Sequence, residues 1–262
     1  MENDMSNTYE CFTVEIADYV ATVSLNRPPV NAQNRKFREE IVEIFDSFND
    51  RTDVRAIVLT GNGKTFSAGA DLKDRPNHSD AGAYPRHNRN VRASFDVVME
   101  CSKPVIAAIN GAAIGAGCVL ALCCDILVCA EEGFLSMTEV DVGLAGGVSH
   151  VRRFFRESDA RLLIYTARRM YGPDLYRQGV VSACVPGANL METALEIARS
   201  IAAKSPLAVQ AAKRSFNVTE DMTLRDGYRY EQSQTVILSA TEDSKEAQRA
   251  FAEKRKPVFH GR

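Results

Sequence analysis

Residues 104–118, Pro104-Val105-Ile106-Ala107-Ala108-Ile109-Asn110-Gly111-Ala112-Ala113-Ile114-Gly115-Ala116-Gly117-Cys118, join two kinds of chain at a glycine. Pro104 to Asn110 is a short apolar run, which predicts a buried strand. Gly111 stops it, and a very apolar helix is predicted from about Gly115 to Cys124. Asp125 to Ala130 then returns as a strand. Upstream, Arg55 to Thr60 repeats the pattern: a short buried strand ends at Gly61-Asn62-Gly63, a small-residue loop follows at Phe66 to Lys73, and a helix runs to about Cys101. Strand, glycine-bearing turn, helix and strand thus recur, which predicts a winding α/β architecture.

Further outward, Cys11 to Leu25 alternates as two strands joined near Ala17-Asp18, with Val20, Thr22 and Ser24 facing opposite Ala21, Val23 and Leu25. Pro28-Pro29 ends that hairpin, because proline cannot continue a ladder. In the next helix Phe37, Ile41, Ile44, Phe45 and Phe48 form the inner face, with Arg38, Glu39 and Glu43 outside. Pro76 to Arg89 is polar and reads as a mobile segment over a site. From about Leu190 helices take over, with Leu190, Ala194, Ile197 and Ile201 in one stripe. Pro206 opens the next helix, and two more run from about Asp221 to Lys256. The chain divides on this reading into a core, residues 1–205, and a helical region, residues 206–262. The second piece is too small to be stable alone, so it must pack on the core or on another subunit.

The 262 residues are 45% hydrophobic and 25% charged, with a formal net charge of −2 and no long run of one sign. Neither nucleic acid nor a membrane is expected as partner. No apolar stretch reaches the roughly 18 residues of a membrane span. Met1-Glu2-Asn3-Asp4-Met5-Ser6-Asn7 is polar and acidic, and is expected to be neither a signal nor a transit peptide. Seven cysteines, most in apolar surroundings and none in a C-x-x-C pair, point to reduced thiols and a cytoplasmic protein.

Chemistry concentrates in two segments. Phe66-Ser67-Ala68-Gly69-Ala70-Asp71-Leu72 is a loop of small residues after a strand; Ile109 to Cys118 leads from a strand into a helix start. Small residues let another group approach the backbone, and the first helical turn offers unpaired N–H groups. Two such donors converging on one oxygen would form an oxyanion hole, worth about 3–4 kcal/mol per donor. A full dinucleotide fingerprint is missing. Gly63-Lys64-Thr65 has no glycine five residues before it, so a phosphate-binding loop is not expected either.

Asn26-Arg27-Pro28-Pro29-Val30-Asn31-Ala32, the Phe66 to Leu72 loop, Lys103 to Gly111, Cys124-Asp125-Ile126 and the closing Phe251 to Lys256 together resemble the crotonase (enoyl-CoA hydratase/isomerase) superfamily in order and spacing. The resemblance spans essentially the whole chain. It implies a spiral core of repeated ββα turns and a C-terminal helical region that packs subunits into a homotrimer or a hexamer (dimer of trimers). It implies an acyl-CoA substrate, with coenzyme A as thioester carrier and no permanently bound cofactor or metal. By position, the oxyanion donors would be the N–H groups of Ala70 and Ala116. Lys64, Ala68, Lys73 and Lys254 would bind coenzyme A, the last across a subunit boundary.

One position departs from the resemblance. Hydratases of this family use two glutamates; here the second is Glu139, but Val119 holds the place of the first. Adding water to a double bond needs one group for the water and another for the α-proton. One carboxylate suffices to move a double bond in an enoyl-CoA, or to direct water at a ketone in a retro-Claisen or ring-opening hydrolysis. His150 follows a loop, Gly143 to Ser149, shorter than the family's usual stretch, and is the candidate partner for Glu139; Asp141 ranks below it. Asp71 is expected to order its turn through bonds to the backbone. The reading is therefore a lyase or isomerase on an enoyl-CoA, with a C–C bond hydrolase as the alternative.

Overall fold

The computed structural model describes residues 9–76 and 80–262; the acidic N-terminal stretch and residues 77–79 of the segment read as mobile lie outside them. Strands β1 (Phe12–Ala17) and β2 (Val20–Leu25) form an antiparallel hairpin in the expected register. Its turn residues Asp18 and Tyr19 have φ of 52° and 63°, the twist that suits a two-residue hairpin loop. Helix α1 (Arg35–Asp50) starts where the Asn34 side chain accepts from the Phe37 N–H, and buries Phe37, Ile41, Ile44, Phe45 and Phe48.

The chain then winds. Strands β3 (Ala56–Gly61) and β4 (Thr65–Ser67) precede helix α2 (Ala83–Glu100). Next come β5 (Val105–Ile109), β6 (Ala112–Ile114) and helix α3 (Ala116–Leu122), followed by β7 (Ile126–Ala130) and β8 (Phe134–Ser136). In each turn the first strand joins one sheet and the second strand joins another. The larger sheet has the order β1-β2-β3-β5-β7-β10 and the smaller one β4-β6-β8-β9, where β9 is Met170–Tyr171 and β10 is Ala183–Val185. From β2 onward the larger sheet is parallel. Both its faces are covered, as parallel sheets require. Ala21, Val23, Leu25, Ile57, Leu59, Ala107 and Ile109 point into the main core with α1. Val20, Ala56, Val58, Ile106, Ala108 and Val128 meet helix α7 (Leu190–Ala202) on the other side. The stripe of α7 is Leu190, Ala194, Ala198 and Ala202, with Ile197 and Ile201 at its margin; small residues let the helix lie close on the sheet.

Helices α4 (Val148–Phe154), α5 (Glu157–Thr166) and α6 (Gly172–Arg177) fill the stretch before β10. Helices α8 (Pro206–Thr219), α9 (Leu224–Ser239) and α10 (Glu242–Ala252) close the chain. Lys213 of α8 is buried and reaches into the core. Its Nζ donates to the Lys103 carbonyl at 3.0 Å and pairs with Asp125 at 2.8 Å, while the same Asp125 oxygen accepts from the Val105 N–H.

Three expectations shift. Residues 83–89 are helical rather than loop: Gly82 turns the chain at φ 82° and α2 packs along α1. Helix α3 is shorter than its apolar run, because Cys123 and Cys124 already bond back to close its last turn. Arg38, placed outside by helical period, is buried: its guanidinium donates to the Gln33 carbonyl at 2.9 Å and pairs with Asp74. A long cation with two acceptors at hand can be drawn inward against its period.

Lys213→Met should lower stability by about 1–2 kcal/mol, since it leaves the Lys103 carbonyl without its donor and removes the partner of a partly exposed Asp125. Urea unfolding checks this, with exposed Lys204→Met as the control that stays near zero.

Candidate active site

Strands β4 and β6 are parallel neighbours, with Thr65 opposite Ala112 and Ser67 opposite Ala113. The loops that leave their ends therefore start side by side. They then touch backbone to backbone. A Cβ on Gly69, at φ 86°, would stand 2.5 Å from the Ile114 carbonyl oxygen and 3.2 Å from the Ala116 nitrogen; one on Gly117 would stand 2.3 Å from the Ser67 oxygen. Only glycine fits either place. Asn31 clamps the base of the first loop, its Nδ2 donating to the Thr65 carbonyl at 2.8 Å and to those of Asn62 and Phe66.

Around Ala70 the backbone is bonded on both sides. Gln33 N–H donates to the Gly69 carbonyl at 2.8 Å, and the Asp71 N–H donates to the Gln33 carbonyl at 3.1 Å. This bridge uses the flanking residues and leaves the Ala70 N–H out. Ala116 is the first residue of α3, so its N–H has no intrahelical partner. Among the described residues no acceptor is bonded to either N–H. Ala70 is exposed and Ala116 half-buried. Asp71 orders its turn as expected: its carboxylate accepts from the Lys73 N–H at 3.0 Å and pairs with Arg27 at 2.8 Å, and these hold its pKa below the ordinary range.

Glu139 opens a single 3-10 turn, Glu139–Val142, directly after β8. Its carboxylate lies against the start of α3: a Cβ on Gly115 would be 2.7 Å from Oε1, and one on Gly146 would be 3.9 Å from Cγ. Its Oε2 is buried and has no hydrogen-bond partner among the described residues. Burial raises the Glu139 pKa, with only its own backbone N–H pulling the other way. Val119 is 4% exposed and closed in from the same side. A Cβ on Gly147 would stand 2.8 Å from its Cγ2 and 2.5 Å from the Met137 methyl.

His150 points elsewhere. On α4, its ring lies edge-on to Phe95 of α2 at 5.8 Å, beside a surface groove of about 530 Å³ lined by Met99, Arg152, Arg153 and Glu220. Burial first, then Arg153, lowers its pKa, so the neutral ring is favoured. No hydrogen bond or ion pair joins it to Glu139, and neither group shifts the other's pKa. Asp141 is exposed in the turn after Glu139. Lys64 and Lys73 are exposed at the two ends of the first loop, Ala68 between them is half-buried, and Lys254 is exposed just beyond α10 at φ 54°. Among the described residues none of the three lysines makes an ion pair within the chain. No group of three or more His, Cys, Asp or Glu among the described residues could hold a metal ion. Two buried polar residues at the site, Gln33 and Ser67, were not singled out by sequence. Ser67 carried a signal, a polar side chain in a run of small and apolar residues, whereas Gln33 sits in the polar run Asn31 to Lys36 and carried none.

A spiral of ββα turns, two touching small-residue loops and a buried carboxylate beside the second set this fold apart from a nucleotide-binding one. The enoyl-CoA hydratase/isomerase family model matches residues 15–262. The chain is 34% identical over 254 residues to a probable mitochondrial enoyl-CoA hydratase of Dictyostelium discoideum, covering 95% of this chain and 91% of that one. It is 35% identical over 254 residues to the mitochondrial Delta(3,5)-Delta(2,4)-dienoyl-CoA isomerase of Homo sapiens, covering 90% and 77%. The crystal structure of enoyl-CoA hydratase from Bacillus anthracis superposes with a TM-score of 0.91 at 34% identity, covering 97% of this chain and 100% of that one. The chain belongs to the enoyl-CoA hydratase/isomerase (crotonase) family of acyl-CoA enzymes.

A carboxyl whose pKa is raised by folding costs nothing below its unfolded pKa, weakens the fold progressively as pH rises from there, and has its full cost above the raised value. Glu139→Gln should therefore raise the melting temperature at neutral pH and leave it unchanged in acid. A lower melting temperature at neutral pH would show that the carboxylate is a structural anchor.

Proposed function

We propose that the protein moves a double bond within an enoyl-CoA, using Glu139 as its one proton carrier and the Ala70 and Ala116 N–H groups as an oxyanion hole. The observation that carries this is the buried Oε2 of Glu139, unpartnered among the described residues, beside two N–H groups that none of those residues satisfies. Buried polar atoms are normally bonded, and the exceptions concentrate where a ligand supplies the partner. A thioester oxygen between the two N–H groups would gain charge as the α-proton leaves. Glu139 takes that proton from C2 of a 3-enoyl thioester, the electron pair spreads over the dienolate with its oxygen held by both donors, and Glu139 returns the proton to C4. The product is the conjugated 2-enoyl thioester, with every atom of the substrate retained. Burial raises the basicity of Glu139, bringing it nearer to the carbon acid it must deprotonate.

Val119, packed on Met137 and Gly147, offers no second acid or base for water. The absence of an acid or base at Val119 counts against adding water to the double bond. The C–C hydrolase alternative drew on Val119, the short loop and His150; His150 faces Phe95, and that setting favours proton transfer between carbons. For coenzyme A, the unpaired Lys64 and Lys73 flank the first loop and suit phosphate groups; Lys254 suits one if the ligand lies across a subunit boundary. Apolar side chains left bare on the C-terminal helices, Phe216 at 80%, Leu224 at 90%, Val236 at 71% and Phe251 at 87% exposed, support the residues 206–262 as an assembly region. Seven free thiols, six of them buried, support a reducing compartment such as the cytoplasm.

Mass spectrometry and absorbance on a 3-enoyl-CoA, crotonyl-CoA and a cyclic β-keto acyl-CoA test the reaction. The expected outcome is a conjugated product of unchanged mass from the first and slow water addition to the second. Glu139→Gln should lower the isomerisation rate by about 10²–10⁴-fold with ligand binding kept. The acid limb of the wild-type rate should lie above the roughly 4.3 of an ordinary glutamate, since the base must be ionised. Fast crotonyl-CoA hydration, or ring opening of the third substrate, overturns the assignment.

Light scattering at micromolar concentration should report three or six copies of the 28.8 kDa chain. A monomer would remove the intersubunit role given to Lys254.

A further inference from the structure

One side chain ties both loops together and has no part in the chemistry above. Gln33, 3% exposed, bonds to the first loop through its backbone, its N–H to Gly69 and its carbonyl to the Asp71 N–H, on either side of Ala70. Through its side chain it bonds to the second loop: Nε2 donates to the Ala116 carbonyl at 3.2 Å and to Ser67 Oγ at 3.3 Å. The orientation of this carboxamide follows from its partners. A carbonyl oxygen can only accept. The Ser67 hydroxyl already donates to the Asn31 carbonyl at 2.7 Å, so its oxygen is left to accept, from Gln33 and from the Gly69 N–H at 3.2 Å. Both contacts therefore call for the NH₂ end of the amide. Arg38 holds the Gln33 carbonyl from behind at 2.9 Å. An apolar side chain would fill this interior position without needing partners, so the amide has a use beyond packing.

We infer that Gln33 is a positioning residue that sets the separation of the Ala70 and Ala116 N–H groups, and so the fit of the oxyanion site. This rests on the oxyanion reading proposed above. Gly69 and Gly117 bring the loops into contact, but steric contact alone sets only a lower limit on their spacing. The Gln33 amide supplies the attraction that holds Ala116 against that limit. Misplacing a donor by a fraction of an ångström weakens transition-state binding more than ground-state binding, so the loss falls on kcat.

Gln33→Met keeps length and volume and removes both donors. Gln33→Leu likewise has no donor for Ala116 and serves where methionine does not fold; circular dichroism melts establish folding for each. Two readouts are taken: kcat and KM on a 3-enoyl-CoA, and the absorbance of bound 4-(dimethylamino)cinnamoyl-CoA, a push–pull chromophore that moves to the red as its thioester oxygen is polarised. The expected result is kcat lower by about tenfold to a hundredfold with KM nearly unchanged, and a smaller red shift than wild type. A folded variant with wild-type kcat and wild-type red shift overturns the role of Gln33 and leaves the oxyanion reading standing. A wild-type protein that gives no red shift overturns the oxyanion reading itself, and the role of Gln33 with it.

Discussion

Two stretches of backbone touching with nothing between them is the constraint on which this molecule turns. Gly69 meets Ile114 and Ala116, and Gly117 meets Ser67, at distances where a single methyl would collide. That contact brings a loop that follows one strand against the start of a helix that follows another. It is possible because β4 and β6 are parallel and adjacent, so both strands end at the same edge of the smaller sheet. The spiral winding has the same origin. Each turn gives one strand to each sheet, and each inter-sheet step delivers its next loop to the same end of the molecule. Architecture and site are one arrangement.

Around this contact, the polar interior is spent on holding loops. Asn31, Ser67 and Gln33 are all buried, and almost all of their bonds go to backbone groups of the two loops or their bases. Such networks are costly unless complete, and once complete they fix one geometry. Glu139 is the exception. Its buried Oε2 has no partner among the described residues, and burial holds its pKa up. A group kept in a state that weakens the fold is the expected mark of a reactive site. Val119 has the opposite character, closed against Met137 and Gly147 as part of the core. The two meet at one short helix, the carboxylate against its start and the valine within it, and the proposed one-carboxylate chemistry rests on that contrast.

The C-terminal helices are held from inside. Lys213 bridges α8 to Asp125 and to the strand β5 edge, a polar tie across residues far apart in the chain. Buried ion pairs add little net stability against an apolar alternative, but removing one partner is expensive. The tie thus fixes where α8 sits more than how firmly. Beyond it, the outer faces of α8, α9 and α10 keep large apolar side chains in the open.

By itself the sequence determined the strands and helices with clear periods, their recurrence as a winding α/β core, and the two small-residue loops. Phe37 to Phe48 and the alternation of Val20 to Leu25 are local patterns, readable because burial follows from spacing along one element. The loops were readable because Gly69, Gly115 and Gly117 stand where no other residue fits, and matching motifs supplied their register. Local pattern could not say that Arg38 turns inward to Asp74, that residues 83–89 continue the helix, or that Gln33 grips Ala116 from 83 residues away. Nor could it separate His150 from Glu139, which are close in the chain yet face different neighbours. Those were decided by tertiary structure alone. A side chain's partner depends on which distant backbone arrives beside it, and that is a property of the closed fold rather than of any stretch within it.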